Sequence, residues 1–278
     1  MAHALGEVGV WARGAQASPE LAAALEKLGY AAFWVGGSPR ADLLLPERLL
    51  DATSEIVVAT GIVNIWGSSA GEVAGSYHRL AEQYPGRFLL GIGVGHPEST
   101  GERYRRPYEA LVRYLDVLDH EGVPRDDIVL AALGPRMMRL AGGRTCGAHP
   151  YLTTPEHSRE AREVLGAGPL LAPEQHVVLD GDPGRARAVA RRALASYLEL
   201  SNYRANLRRF GFTDEDLANG GTDELVDALV AHGNAAAVAA RVREHLDVGA
   251  DHVCVQLLGE FGADAPDAYR RLADALLT

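Results

Sequence analysis

Residues 87–95 read RFLLGIGVG and run straight into His96, Pro97 and Glu98. Glycines admit close backbone approach, an imidazole titrates near neutrality, and a carboxylate beside it can tune or share the proton. A dinucleotide-binding loop needs G-x-G-x-x-G at the turn into a helix. Gly91, Gly93 and Gly95 instead recur at period two, which keeps them on one face of one strand. That face either forms a depression, lets a neighbouring backbone bulge inward, or is filled by bulky side chains from the next strands.

Other stretches carry related signals. TGIVNIWG (60–67) places Gly61 in mid-strand, where glycine marks a bulge or a close approach, and FWVGGS ends in Gly36, Gly37 and Ser38. AALGPRMMRLAG (131–142) offers Gly134, Pro135 and Arg136 at a helix start. Free backbone N–H groups and the positive helix end there make a phosphate seat, although Gly-Pro is also an ordinary way to begin a helix. The chain has ten histidines but no H-E-x-x-H, and His149 and His157 flank a Thr-Pro helix start rather than share a helical face, so no metal site is expected. Cys254, between Val253 and Val255, reads as core. The arginines at 103, 105 and 106 and at 204, 208 and 209 read as solvated faces or as contacts for an anionic ligand.

The elements that must position these residues alternate from the start. EVGVWA precedes SPELAAALEKLG, in which Ser18 caps, Pro19 takes the first helical position, and Leu21, Leu25 and Leu28 line one face. Strands near 31–37, 56–66, 87–95, 126–133, 176–182 and 252–259 follow, with the short segment CGAHPYLTTP (146–155) as the sixth, separated by helical patterns. Eight β-then-α units with near-continuous apolar strands predict a (β/α)8 TIM barrel in a single domain over 1–278. On strand four, Leu90, Ile92 and Val94 are expected to face the helices and the three glycines the interior. About fifty residues, near 201–250, separate helix seven from strand eight. They carry helical patterns, including 234–247, and read as an insertion over the mouth or as an extension of the outer shell.

The bulk numbers agree with such a barrel. At 278 residues and 47% hydrophobic composition the chain can bury a large core. A formal charge of -10 disfavours non-specific binding to nucleic acid or anionic membranes, so any anionic ligand needs a local site. Two cysteines far apart, no basic segment before an apolar run, and no stretch of about 18 apolar residues predict a cytoplasmic protein without disulfides.

The motifs GVW, FWVGGSP, ATGIVNIW, RFLLGIGVGHPE, AALGPRMMRLAG, GAHPYLTTPEH, NYRANLRRFGFTDEDL and GADHVCVQLLG, in that order, resemble the bacterial luciferase-like family, in particular its coenzyme F420-dependent branch known largely from actinobacteria. The resemblance spans nearly the whole chain. It implies a luciferase-like TIM barrel holding a flavin or deazaflavin at the carboxyl ends of the strands, with a cis peptide at Gly61-Ile62 against the ring. It further implies a phosphate contact at Ala131, Ala132, Leu133 and Gly134, to which Arg136 is added here. Gly36, Gly37, Asn64, Gly93 and Gly95 border the expected cofactor. His96 is the first candidate for the proton that accompanies hydride transfer, with Glu98 and His149 behind it. The histidine, tryptophan and glutamate set of the family's glucose-6-phosphate dehydrogenases has no match here. The function implied is hydride transfer between F420 and a small organic substrate. An FMN-dependent monooxygenase and a non-catalytic flavin-binding member are the alternatives, and a homodimer through barrel helices two and three is implied by the family.

Overall fold

A computed structural model describes residues 3–259 and 265–277. Its strands are β1 (Val8–Arg13), β2 (Ala32–Gly36), β3 (Val57–Gly61), β4 (Val63–Asn64), β5 (Phe88–Gly93), β6 (Ile128–Leu130), β7 (Gly147–Ala148), β8 (Leu170–Leu171), β9 (Glu174–Val178), β10 (Val230–His232) and β11 (Val253–Leu257). The helices are α1 (Pro19–Lys27), α2 (Leu44–Asp51), α3 (Ala70–Gln83), α4 (Pro97–Thr100), α5 (Pro107–His120), α6 (Pro135–Arg144), α7 (Pro155–Leu165), α8 (Pro183–Leu194), α9 (Ser201–Arg209), α10 (Asp223–Leu229), α11 (Ala235–Asp247) and α12 (Ala265–Leu276). Proline opens α1, α4, α5, α6, α7 and α8, where its fixed φ suits the helix and its missing N–H leaves no donor unpaired. Side-chain oxygens of Ser18, Ser69, Thr154, Asp182, Thr222 and Asn234 cap α1, α3, α7, α8, α10 and α11.

All the pairings are parallel, and they run β10-β9-β11-β1-β2-β3-β5-β6-β7-β8, with β4 also on β5. The path closes on itself, because β8 and β9 are halves of one stave broken at Ala172 and Pro173. The N–H of Ala172 donates to Ala148 O of β7, while Pro173 O accepts from the N–H of Cys254 in β11. The result is the expected (β/α)8 TIM barrel, with β10 added beside the carboxyl half of β9.

Strand alternation sorts the core into two layers. Trp11, Ala32, Trp34, Val57, Ala59, Leu89, Val129, Ala172 and Cys254 fill the interior. Val10, Phe33, Val58, Leu90, Ile92 and Leu130 pack outward against helix residues such as Leu25, Leu49, Leu80 and Leu115. On β5 the split is the expected one, with Leu90 and Ile92 toward the helices and Leu89 toward the interior.

The stretch between strands seven and eight divides in two. The α9 and α10 helices build a separate small core with Val178, Leu194, Leu198, Tyr203, Leu207, Leu225 and Leu229. The α11 helix packs against α7 and α12 and belongs to the outer shell. No helix of the described residues is long and apolar enough to cross a membrane.

Candidate active site at the barrel mouth

The strand-four glycines serve a bulge in strand three. Ala59 pairs with Leu89 and Val63 with Ile92, so Thr60, Gly61 and Ile62 face only Leu90 and Gly91, one residue more than the ladder holds. Thr60 O moves inward over Gly91, where a Cβ would lie 1.8 Å from it. The Thr60 hydroxyl replaces the missing ladder: Oγ1 accepts from Gly91 N and donates to Gly91 O, both at 2.8 Å. Ile62 then lies across Gly93, within 3.1 Å of where a Cβ would be. The peptide between Gly61 and Ile62 is cis. The empty face of β5 is therefore occupied by strand three, and Gly93 is covered rather than open to a ligand.

Gly36 and Gly61 are empty for a second reason. The Trp11 indole lies over both, with Cζ2 at 1.9 Å from a Gly36 Cβ position and Nε1 at 2.5 Å from that of Gly61. His149 Nε2 is 3.2 Å from the same Gly61 point. The His149 ring is fixed on both sides: Nδ1 donates to Ala172 O at 2.7 Å, and the ring stacks on Trp34 at 4.3 Å and 19°. Trp34 Nε1 in turn donates to His252 Nε2 at 3.0 Å, and His252 Nδ1 donates to Gly6 O. Burial pushes His149 down to about 4, so its imidazole is neutral with a bare lone pair on Nε2. Neither that lone pair nor Trp11 Nε1–H has a partner among the described residues.

Above this floor a cavity of about 390 Å³ opens at the carboxyl ends of the strands. Gly37, Gly61, Ile62, Asn64, Gly95, His96, Ala131, Ala132, Leu133, Gly134 and His149, eleven of the residues singled out in the sequence, line it. Gly95 has φ +59°, and Asn64 lies against it. Gly134 caps α6, and a Cβ there would touch nothing within 4 Å. His96 precedes α4, with Nδ1 3.2 Å from Asn202 Oδ1 of α9. Desolvation lowers its pKa, against the opposing effects of Asn202 and Glu98.

Three of the remaining site expectations do not reach the cavity wall for reasons of packing. Gly36 sits under Trp11, as above. Glu98 is turned to α9, where Oε1 accepts from Ser201 N at 2.9 Å. Arg136, in the first turn of α6, stacks its guanidinium 3.8 Å from the Tyr108 ring and pairs with Glu109 of α5, leaving its side chain 66% exposed.

Sequence reasoning passed over the aromatic wall. Trp11, Tyr151, Tyr197, Tyr203 and His96 run contiguously from floor to rim, with ring centroids 5.1, 5.3, 5.5 and 5.4 Å apart in turn. The Tyr151 hydroxyl donates to Gln256 Oε1 and lies 2.9 Å from the Tyr197 hydroxyl, which accepts from Arg13 Nη2. Behind Tyr151 sits a buried pair, with His176 Nδ1 2.8 Å from the Glu174 carboxylate. Tyr151 stands two residues past His149 in GAHPYLTT. That period-two spacing was the available signal, whereas Tyr203 comes from the insertion and had none.

Neither cysteine lines this cavity. Burial raises both thiols, Cys146 to about 12 and Cys254 well above its ordinary value, so neither is a thiolate at neutral pH. Among the described residues no group of three or more His, Cys, Asp or Glu is arranged to hold a metal ion.

Residues 5–120 match the sequence family described as luciferase-like monooxygenase. No curated protein matches the chain in sequence. Among solved structures, an F420-dependent secondary alcohol dehydrogenase in complex with an F420-acetone adduct superposes with a TM-score of 0.76 at 16% identity, covering 98% of this chain and 99% of that one. The coenzyme F420-dependent tetrahydromethanopterin reductase of Methanopyrus kandleri gives 0.72 at 16%, covering 99% of both chains. The oxygenating constituent of 3,6-diketocamphane monooxygenase, encoded on the CAM plasmid of Pseudomonas putida and in complex with FMN, gives 0.69 at 16%, covering 97% of this chain and 96% of that one. At these identities the likeness establishes the luciferase-like barrel fold.

Proposed function

We propose that this luciferase-like barrel is an F420-dependent oxidoreductase that moves a hydride between the deazaflavin and a small organic substrate. The observation that carries the reading is the cavity itself. It lies at the carboxyl ends of the strands, where barrel enzymes keep their chemistry, and about 390 Å³ is the size of a small-molecule site. Its floor is the Gly61 and Ile62 backbone, its sides are apolar at Val94, Ala131, Ala132, Leu133 and Met137, and one edge is aromatic. That is a surrounding for a flat ring.

The group fits the residues present. Ala131, Ala132, Leu133 and Gly134 at the head of α6 would hold the phosphate of the cofactor's tail, and the open position at Gly134 leaves it room. When bound, the cofactor supplies or accepts the hydride. His96 handles the accompanying proton: desolvation holds its pKa below the ordinary value and so favours the neutral ring, Asn202 orients Nδ1, and Nε2 has no partner among the described residues. What favours the deazaflavin is the motif order, which resembles the F420-dependent branch, together with superpositions on the two F420-dependent enzymes that score above the one on the FMN complex.

Titrating the purified protein with F420 and, separately, with FMN, followed by cofactor fluorescence, tests this. F420 is expected to bind at micromolar concentration or below and FMN far more weakly. Gly134→Val, which fills the open wall, should weaken F420 at least tenfold. Arg136→Ala should leave it within about twofold, since the guanidinium is held on Tyr108 outside the cavity. Preferential FMN binding would make the protein a flavin enzyme or flavin-binding protein, and binding of neither would overturn the cofactor assignment.

A further inference from the structure

Five buried side-chain atoms have neither a hydrogen-bond nor an ion-pair partner among the described residues, and two of them, Trp11 Nε1 and His149 Nε2, belong to residues that line the cavity. They are neighbours, both within 3.2 Å of the point where Gly61 would carry a Cβ. Trp11 is 4% and His149 2% exposed, so bulk water does not satisfy them. A buried polar group left unpaired is costly and is retained where a ligand completes it.

The polarity of each atom is set by its surroundings. An indole N–H can only donate. His149 gives its Nδ1 proton to Ala172 O and is clamped against Trp34, so its Nε2 can only accept. The Trp11 ring cannot turn away, because it fills the space over Gly36 and Gly61. The floor therefore presents one fixed donor beside one fixed acceptor, next to the Gly61 backbone.

We infer that Trp11 and His149 together read a lactam edge of a planar ring, Trp11 donating to its carbonyl oxygen and His149 accepting from the adjacent ring N–H. Such an edge is the pyrimidinedione side shared by deazaflavins and flavins. The inference rests on the cofactor reading above, but it is indifferent to which of the two rings is bound. It assigns to His149 the recognition of the ring and leaves the proton of the reaction to His96. The two residues act as positioning residues: they set how deep the ring sits and which edge faces the barrel interior.

The test compares lumiflavin with 3-methyllumiflavin, a ring that keeps the carbonyls but lacks the N–H, alongside F420 and FMN, on the wild-type protein and on Trp11→Phe and His149→Leu. Circular dichroism checks that both variants fold. The expected result is binding of 3-methyllumiflavin at least tenfold weaker than lumiflavin, and about a tenfold loss of F420 or FMN affinity in each variant. The indole N–H resonance of Trp11, assigned by its disappearance in Trp11→Phe, should move downfield when lumiflavin is added to the wild type. Equal binding of the two lumiflavins, or cofactor affinity unchanged in both folded variants, would overturn the inference while leaving the cofactor reading intact. Binding of no ring by the wild-type protein would remove the cofactor reading itself, and the inference with it. If the pair instead holds a water in the complex, the indole resonance stays in place and N3-methylation has no effect, which also counts against it.

Discussion

Gly91 shows how a single residue can serve a site it never touches. Its missing side chain admits Thr60 O, and the Thr60 hydroxyl closes the gap in the ladder. The obstacle to any larger residue is backbone, which cannot swing aside as a flexible side chain could. Gly91→Ala is expected to cost about 2–3 kcal/mol, the upper part of the range for forced overpacking, with a lower urea midpoint and an unchanged m-value. Gly134→Ala, where a Cβ meets nothing, is the control and should stay within roughly 0.5 kcal/mol of wild type. Equal midpoints for the two would mean that strand three does not press on β5 in solution.

Among the elements, strand three depends on a helix from an earlier unit. The Glu26 carboxylate of α1 accepts from the N–H groups of Ser54 at 2.9 Å, Glu55 at 2.7 Å and Ile56 at 2.8 Å, pinning the turn that leads into β3. These are charge-assisted bonds, and removing their common acceptor leaves three donors competing for water. Glu26→Ala is expected to destabilise by about 2 kcal/mol and Glu26→Gln by less, read from urea denaturation. An alanine variant as stable as wild type would show that this turn holds its place without the carboxylate. The insertion acts on the site in a comparable way: α9 brings Asn202 to His96 and Tyr203 to the rim, so a segment far along the chain shapes the mouth built by β1, β3 and β5.

For the molecule as a whole, buried histidines tie folding to pH. Burial pushes His149, His157 and His252 down to about 4 and His245 to about 3, whereas an unfolded chain binds their protons near pH 6.5. Between those limits the unfolded state holds more protons, so stability is full above about pH 6.5 and is lost as pH falls toward the folded values. At pH 5 each histidine contributes a loss of about 2 kcal/mol, and four together offset much of a typical ~5–15 kcal/mol. The melting temperature is expected to drop steeply between pH 7 and pH 5 while changing little from pH 7 to pH 8. A melting temperature held constant down to pH 5 would show that these rings are not buried as neutral bases.

What the sequence determined by itself is everything that depends on local period and punctuation. Period-two alternation separated Leu90 and Ile92 from the glycines, proline and capping residues marked the helix starts, and Gly61 flagged a departure from regular strand. The order of β and α units, with the family resemblance, led to the barrel. Only the tertiary structure decided what fills the interior beside those glycines. Barrel closure fixes the register between strands far apart in the chain, and it is this register that sets Trp11 of β1 and His149 after β7 against Gly61 of β3. Alternation cannot supply that, because it fixes a residue's face but not its height or its neighbour across the barrel. The same limit explains Arg136. A first-turn arginine reads as a phosphate ligand until the adjacent helix α5 is in place, and there the Tyr108 ring and the Glu109 carboxylate hold it more closely than the cavity does.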